Sequence, residues 1–148
     1  MKSPKNTTIL AMKRTQIVLI LFFILLFGAI LRIWKIDTIP EGFHADEAAF
    51  GYNAYSLLKT GKDEYGKPIP LVLRSFDDYK GAIYSYLTVP FVALFGLNEF
   101  SVRMPSAVAG TLIVLVSAVV TFALTQHVLL SLITAAIVSF SPSSLLLS

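Results

Sequence analysis

From Thr15 to Leu31 the chain reads TQIVLILFFILLFGAIL, and no charged residue interrupts it. At about 1.5 Å of rise per residue, a helix of this length nearly crosses a hydrocarbon core of roughly 30 Å. Trp34 follows as an interfacial anchor. A cleaved signal peptide fits poorly, because the apolar run is long and FGAILRIW offers no small-x-small cleavage site. The run therefore reads as an uncleaved first span. The whole composition agrees: 55% of residues are hydrophobic and 14% charged, against about a quarter charged in a soluble domain. Mean hydropathy is +0.74. This is the composition of an integral membrane protein.

The charges are distributed unevenly. Lys2, Lys5, Lys13 and Arg14 precede the first span, which places the N-terminus in the cytoplasm and the far end of the span outside. Nothing aromatic or structured accompanies these lysines, so a nucleic-acid partner is not expected. The sequence contains no cysteine, which excludes disulfides, thiolate metal sites and cysteine nucleophiles.

Between Lys35 and Lys80 the character changes, and every acid except Glu99 lies there. Pro40 and Gly42 interrupt the first helix. GFHADEAAFGY then sets Asp46 beside Glu47, with Asp46 expected to cap a helix that Gly61 ends near Thr60. Phe50, Ala54, Leu57 and Leu58 share one face, as in an amphipathic helix lying on a membrane. GKDEYGKPIP reads as a connector in which Asp63 and Glu64 are solvated turn residues, and LVLRSF as a short extended piece.

Gly81 to Leu97 is free of charge but short for a span. From Met104 to Ser148 there is no Lys, Arg, Asp or Glu. That tract holds two spans, 106–125 and 128–147, parted by Gln126 and His127, the latter a polar turn residue. The expected class is all-α: polytopic transmembrane helices with amphipathic juxtamembrane helices in the first external loop. Its parts are 1–14 cytoplasmic, 15–34 a span, 35–105 a loop with surface helices in which 81–97 either crosses the bilayer or lies in its surface, and the two later spans. The closing SPSSLLLS has no flanking charge, which suggests the N-terminal part of a longer protein, inactive by itself.

Three segments occur in order: HADEAAFGYNAYSLLKTG, SFDDYKGAIYSYL and FGLNEFSVRMPSAVAG. Together with the preceding span they resemble the N-terminal part of GT-C class membrane glycosyltransferases. The likeness is to the protein O-mannosyltransferases and the related bacterial enzymes that transfer aminoarabinose to lipid A. The resemblance implies a polyprenyl-phosphate-linked sugar donor and a protein, lipid or glycan acceptor. It also implies an active loop on the extracytoplasmic side of a bacterial or archaeal plasma membrane.

The resemblance makes Asp46 the catalytic base of an inverting displacement, with Glu47 as its partner. Lys80 matches a phosphate-contacting lysine of the aminoarabinose enzymes, and Arg103 an arginine common to the family. Arg74, His44 and Tyr79 are further candidates for substrate contact. An external second site beyond the last helix requires an even number of crossings after Asp46, which keeps 81–97 at the membrane surface.

Simpler roles compete at each position. Asp46 suits a helix cap, worth on the order of 1 kcal/mol, and Glu47 suits the helix dipole. Lys80 and Arg103 can snorkel at the interface. The tyrosines at 52, 55, 79, 84 and 86 can stack on sugar or anchor at the interface. Asp77 and Asp78 leave a divalent cation open, although an oxygen site needs more ligands than two adjacent acids ensure. Asn6-Thr7-Thr8 fits a glycosylation sequon on the cytoplasmic side, where it stays unused. The rival class is a non-catalytic membrane protein or transporter fragment whose charged loop binds a partner or a lipid head group.

Overall fold

The computed structural model describes residues 13–34, 36–38, 41–75 and 78–141. The sequon at Asn6, the candidate Asp77 and the closing residues 142–148 lie outside them. Among the described residues the fold is all-α apart from one short hairpin. In order the elements are α1 (Arg14–Ile33), α2 (Ala45–Thr60), β1 (Val72–Ser75), β2 (Asp78–Gly81), α3 (Ile83–Phe95), α4 (Glu99–Thr125) and α5 (Val128–Phe140). Helices α1 and α4 are long and apolar enough to cross a membrane, and α3 and α5 are shorter apolar helices.

The chain forms two compact units, one of Met1–Arg32 with Ala109–Leu147 and one of Ile33–Val108. In the first, Val114, Ala118 and Ala135 form a core flanked by Leu21, Ile24, Leu25 and Val138. Small residues bring the backbones close, as membrane helices require in the absence of a strong hydrophobic drive between them. A side chain on Gly28 would meet the Ser139 hydroxyl at 2.3 Å. The Ser131 hydroxyl donates to the Ala118 carbonyl at 2.7 Å. Gln126, with a positive φ of 55°, and His127 form the turn between α4 and α5.

In the second unit α2 packs against α3. The buried side of α2 carries Ala49, Gly51, Asn53, Ala54 and Leu57, and that of α3 Ser85, Thr88 and Val92. The Ser85 hydroxyl donates to the Phe50 carbonyl at 3.1 Å, and the Phe50 and Tyr84 rings lie 5.0 Å apart. The apolar stripe of α2 that suggests a lipid contact is thus covered by protein over Ala54 and Leu57. Periodicity reports that a face is apolar and is silent on what covers it.

Gly51 permits a second close approach, since a Cβ there would meet Val102 Cγ2 at 2.6 Å. Gly51→Ala is expected to cost about 1–3 kcal/mol through overpacking, with Val102→Ala in the same chain restoring most of it. Thermal unfolding in detergent measures both.

The start of α2 differs from the sequence expectation: His44 is the N-cap, and Asp46 lies inside the first turn. The Glu47 carboxylate reaches back to the His44 backbone N–H at 3.2 Å. That bond satisfies an orphan donor of the helix end and leaves the Asp46 side chain for other work. Gly61 closes the helix in the left-handed conformation, φ 69°.

Asp63 also departs from expectation, being buried rather than solvated. Its carboxylate accepts from the backbone N–H groups of Tyr65 (3.0 Å) and Lys67 (2.8 Å), which organises the turn. Asn53, fully buried, accepts from the Glu64 N–H at 3.1 Å and ties that turn to α2.

Helix α4 begins at Glu99, ahead of the apolar tract 106–125, because the Asn98 side chain caps it by accepting from the Ser101 N–H at 2.8 Å. Pro105 is carried within the helix instead of starting it.

Candidate functional site

Adjacent helical residues point about 100° apart, and this decides how the two acids are used. Asp46 shares a face with Phe50 and is paired with Lys80. Glu47 shares a face with Gly51 and meets Arg103 near the start of α4. Two neighbours in sequence therefore engage two cations from different elements.

The hairpin selects which of its candidates reaches α2. Antiparallel pairing sets Leu73 opposite Lys80 and Arg74 opposite Tyr79, and directly opposed side chains share a face. Leu73 is buried and the Lys80 side chain is 12% exposed. The Lys80 ammonium lies beside Asp46 and 5.8 Å from the centre of the Phe50 ring. Arg74 and Tyr79 belong to the opposite face, with Arg74 over the Tyr65 ring at 5.6 Å. The structure brings Lys80 to Asp46 and does not bring Arg74 or Tyr79 there.

Arg103 is only 4% exposed, and its guanidinium is committed. Nε donates to Glu47 Oε1 at 2.9 Å, Nη1 to the Ile36 carbonyl at 2.9 Å, and Nη2 to the Gly42 carbonyl at 2.9 Å and Glu47 Oε2 at 3.0 Å. A planar fork of donors matches a carboxylate in this bidentate way. The same side chain fixes the segment that leads into α2. The donors of Arg103 are therefore used within this unit.

Partial burial pushes the Glu47 carboxyl up, but the hydrogen bonds from Arg103 and from the His44 backbone outweigh it. The net effect holds Glu47 below the usual carboxylate range. It is ionised and occupied. The Asp46 side chain, by contrast, is 71% exposed with Lys80 as its ion-pair partner.

Tyr84 is a participant that interfacial anchoring does not anticipate. Its hydroxyl donates to the Val102 carbonyl at 2.8 Å and lies 2.9 Å from the Ser106 hydroxyl. Burial raises its pKa, so it remains a neutral donor. Tyr84 thus ties α3 to α4 between Phe50 and the Arg103 turn. Tyr86 is similarly bound, donating to the Pro70 carbonyl at 3.0 Å. Their spacing of two residues at the start of α3 carries no signal that separates such bonds from membrane anchoring.

His44 is exposed and contributes its backbone N–H to Glu47. Among the described residues no group of three or more His, Cys, Asp or Glu gathers as a metal ion would require. The arrangement offers an accessible carboxylate beside an ammonium, held by a second ion pair in which Arg103 is buried and Glu47 partly so. Such a pair can take a proton and can stabilise an anion within a few ångströms of each other.

The sequence profile of dolichyl-phosphate-mannose-protein mannosyltransferases matches residues 22–148. No curated protein and no solved structure matches the chain.

Proposed function

Since the chain belongs to the dolichyl-phosphate-mannose-protein mannosyltransferase family, a group of membrane glycosyltransferases, we propose that it carries the base-bearing loop for mannose transfer from a polyprenyl phosphate to a protein hydroxyl. The reaction takes place at the external face of the membrane, where the positive N-terminal segment leaves the loop after α1. A serine or threonine oxygen of the acceptor attacks the anomeric carbon. The bond from that carbon to the phosphate oxygen breaks with inversion, and the hydroxyl proton passes to Asp46. The lipid phosphate leaves as an anion.

The single observation that supports this reading is the division of labour between the paired acids. Glu47 is spent on Arg103, whereas Asp46 is open to solvent beside Lys80. A donor phosphate draws Lys80 to itself, and Asp46 then loses its partner and is left for the acceptor hydroxyl. Arg103, expected from the resemblance to contact substrate, acts instead as a positioning residue that sets the first turn of α2. Lys80 is the cation at the leaving group.

Lys80→Gln tests this assignment. Loss of one charge-assisted hydrogen bond, about 1.5–3 kcal/mol, corresponds to roughly a 10- to 100-fold effect. It is expected chiefly as a higher KM for the lipid donor, with KM for the acceptor unchanged. Kinetics in membranes carrying the intact gene product measure the split. An unchanged donor KM would remove Lys80 from the phosphate site and favour a structural ion pair.

A further inference from the structure

At the far end of α2 from Asp46, a second feature projects from the same unit. Ile69 has a φ of +42°, a conformation that a β-branched residue adopts only under strain. Its side chain is nevertheless 74% exposed, and Leu71, two residues on, is 85% exposed. Pro70 between them is buried, and its carbonyl accepts from the Tyr86 hydroxyl. The backbone is thus bent and pinned so that two large apolar side chains point outward. Folding that merely sought to bury apolar surface would gain nothing from this.

The surroundings continue the pattern. The Leu71 carbonyl accepts from the Ala82 N–H at 3.2 Å, which sets it beside the start of α3. There Ile83, Leu87 and Leu94 form an exposed apolar stripe at helical spacing. Ile69 also borders a cleft of about 300 Å³ lined by Leu57, Tyr86, Val89 and Pro90. Lys62 and Lys67 lie exposed on the turn just before it. The cleft begins around Leu57, roughly 16 Å along α2 from Asp46, so it is separate from the Asp46–Lys80 pair.

We propose that the Ile69–Leu71 turn is a membrane wedge, inserted among the acyl chains of bilayer phospholipids beneath the head groups. Lipid is the occupant that the chain's connectivity supports. The unit carrying the wedge begins one residue after Arg32 of α1 and ends within α4, and both helices are long and apolar enough to span. It is therefore tethered to the bilayer at both ends. Apolar side chains flanked by lysines and tyrosine are the composition that such an interface selects. Insertion at one end of α2 fixes the height and tilt of that helix, and so the level at which Asp46 meets a lipid-borne donor. The wedge itself does not depend on the catalytic reading, because a non-catalytic membrane protein could carry it equally.

Nitroxide labels on Leu71→Cys or Ile83→Cys, each the only thiol in the intact gene product, test the proposal in phosphatidylcholine–phosphatidylglycerol vesicles. Phe23→Cys, in the middle of α1 and exposed, serves as the lipid reference. The expected result is stronger collision with oxygen than with an aqueous nickel chelate at both positions, shifted toward the Phe23 value. Stronger collision with the chelate would place the turn in water and overturn the proposal. Weak collision with both agents would show that protein covers the turn, and would overturn it equally. Transfer activity enters neither outcome, so failure here is distinguishable from failure of the assignment of Asp46.

Discussion

Asp46→Asn is expected to lower sugar transfer by about 10²–10⁴-fold, the range over which a positioned general base contributes. The asparagine keeps the size of the side chain and removes the proton acceptor. Asp46 is the exposed member of its ion pair and Lys80 the covered one; the asparagine amide oxygen can still accept from the Lys80 ammonium, so the protein should stay folded and membrane-inserted. With one partner exposed, the pair contributes on the order of 1 kcal/mol to stability. The effect should therefore appear in kcat, with thermal unfolding in detergent nearly unchanged. Glu47→Gln differs in kind, because it releases Arg103 and disturbs the fold as well as the rate. Equal transfer by Asp46→Asn and the parent would remove the base from this position.

Arg103→Met should produce the largest loss of stability, near the low end of the roughly 3–5 kcal/mol lost when one partner of a buried ion pair is removed, because Glu47 keeps 25% of its side chain exposed. The substitution strands the Glu47 carboxylate and the carbonyls of Ile36 and Gly42 at once. Arg103→Lys should recover only part of this, since an ammonium cannot reproduce the planar fork. Glu47→Gln combined with Arg103→Met should be less harmful than the sum of the two single changes, as expected for residues in contact.

The same pair makes stability depend on pH. Because the folded state holds Glu47 below its ordinary value, its contribution is complete above roughly pH 4.3 and is lost as pH falls through the folded value. Thermal unfolding midpoints across that acid window, with and without Arg103→Met, measure both effects. A parent and variant that lose stability in parallel would show that the pair contributes nothing there.

Much of this organisation is legible in the residues. The uninterrupted run from Thr15 to Leu31 gives a helix long and apolar enough to cross a membrane, and Gly61 ends α2 because only a residue tolerant of positive φ suits that cap. What the sequence hides is pairing over long separations. Asp46 with Lys80 and Glu47 with Arg103 are 34 and 56 residues apart, and no local pattern assigns one acid to one cation. The helix supplies that assignment only once α2 is placed between the hairpin and α4.

Asp63 was illegible for the opposite reason. A second Asp-Glu between glycines resembles any exposed turn, and only the two backbone N–H groups folded around its carboxylate distinguish it. The early start of α4 follows from Asn98, a cap lying just beyond the apolar tract that hydropathy detects. Arg103 is the clearest divergence. Its residue type suits a phosphate, but four hydrogen bonds at 2.9–3.0 Å use it inside the protein.

The most direct measurement follows labelled mannose from a polyprenyl-phosphate donor into protein, in membranes that carry the intact gene product. Label should enter the protein fraction from the lipid-linked donor, and should not enter from nucleotide-linked mannose when lipid-donor synthesis is blocked. No transfer from the lipid-linked sugar, or transfer from the nucleotide sugar under that block, would contradict a lipid-phosphate mannosyltransferase.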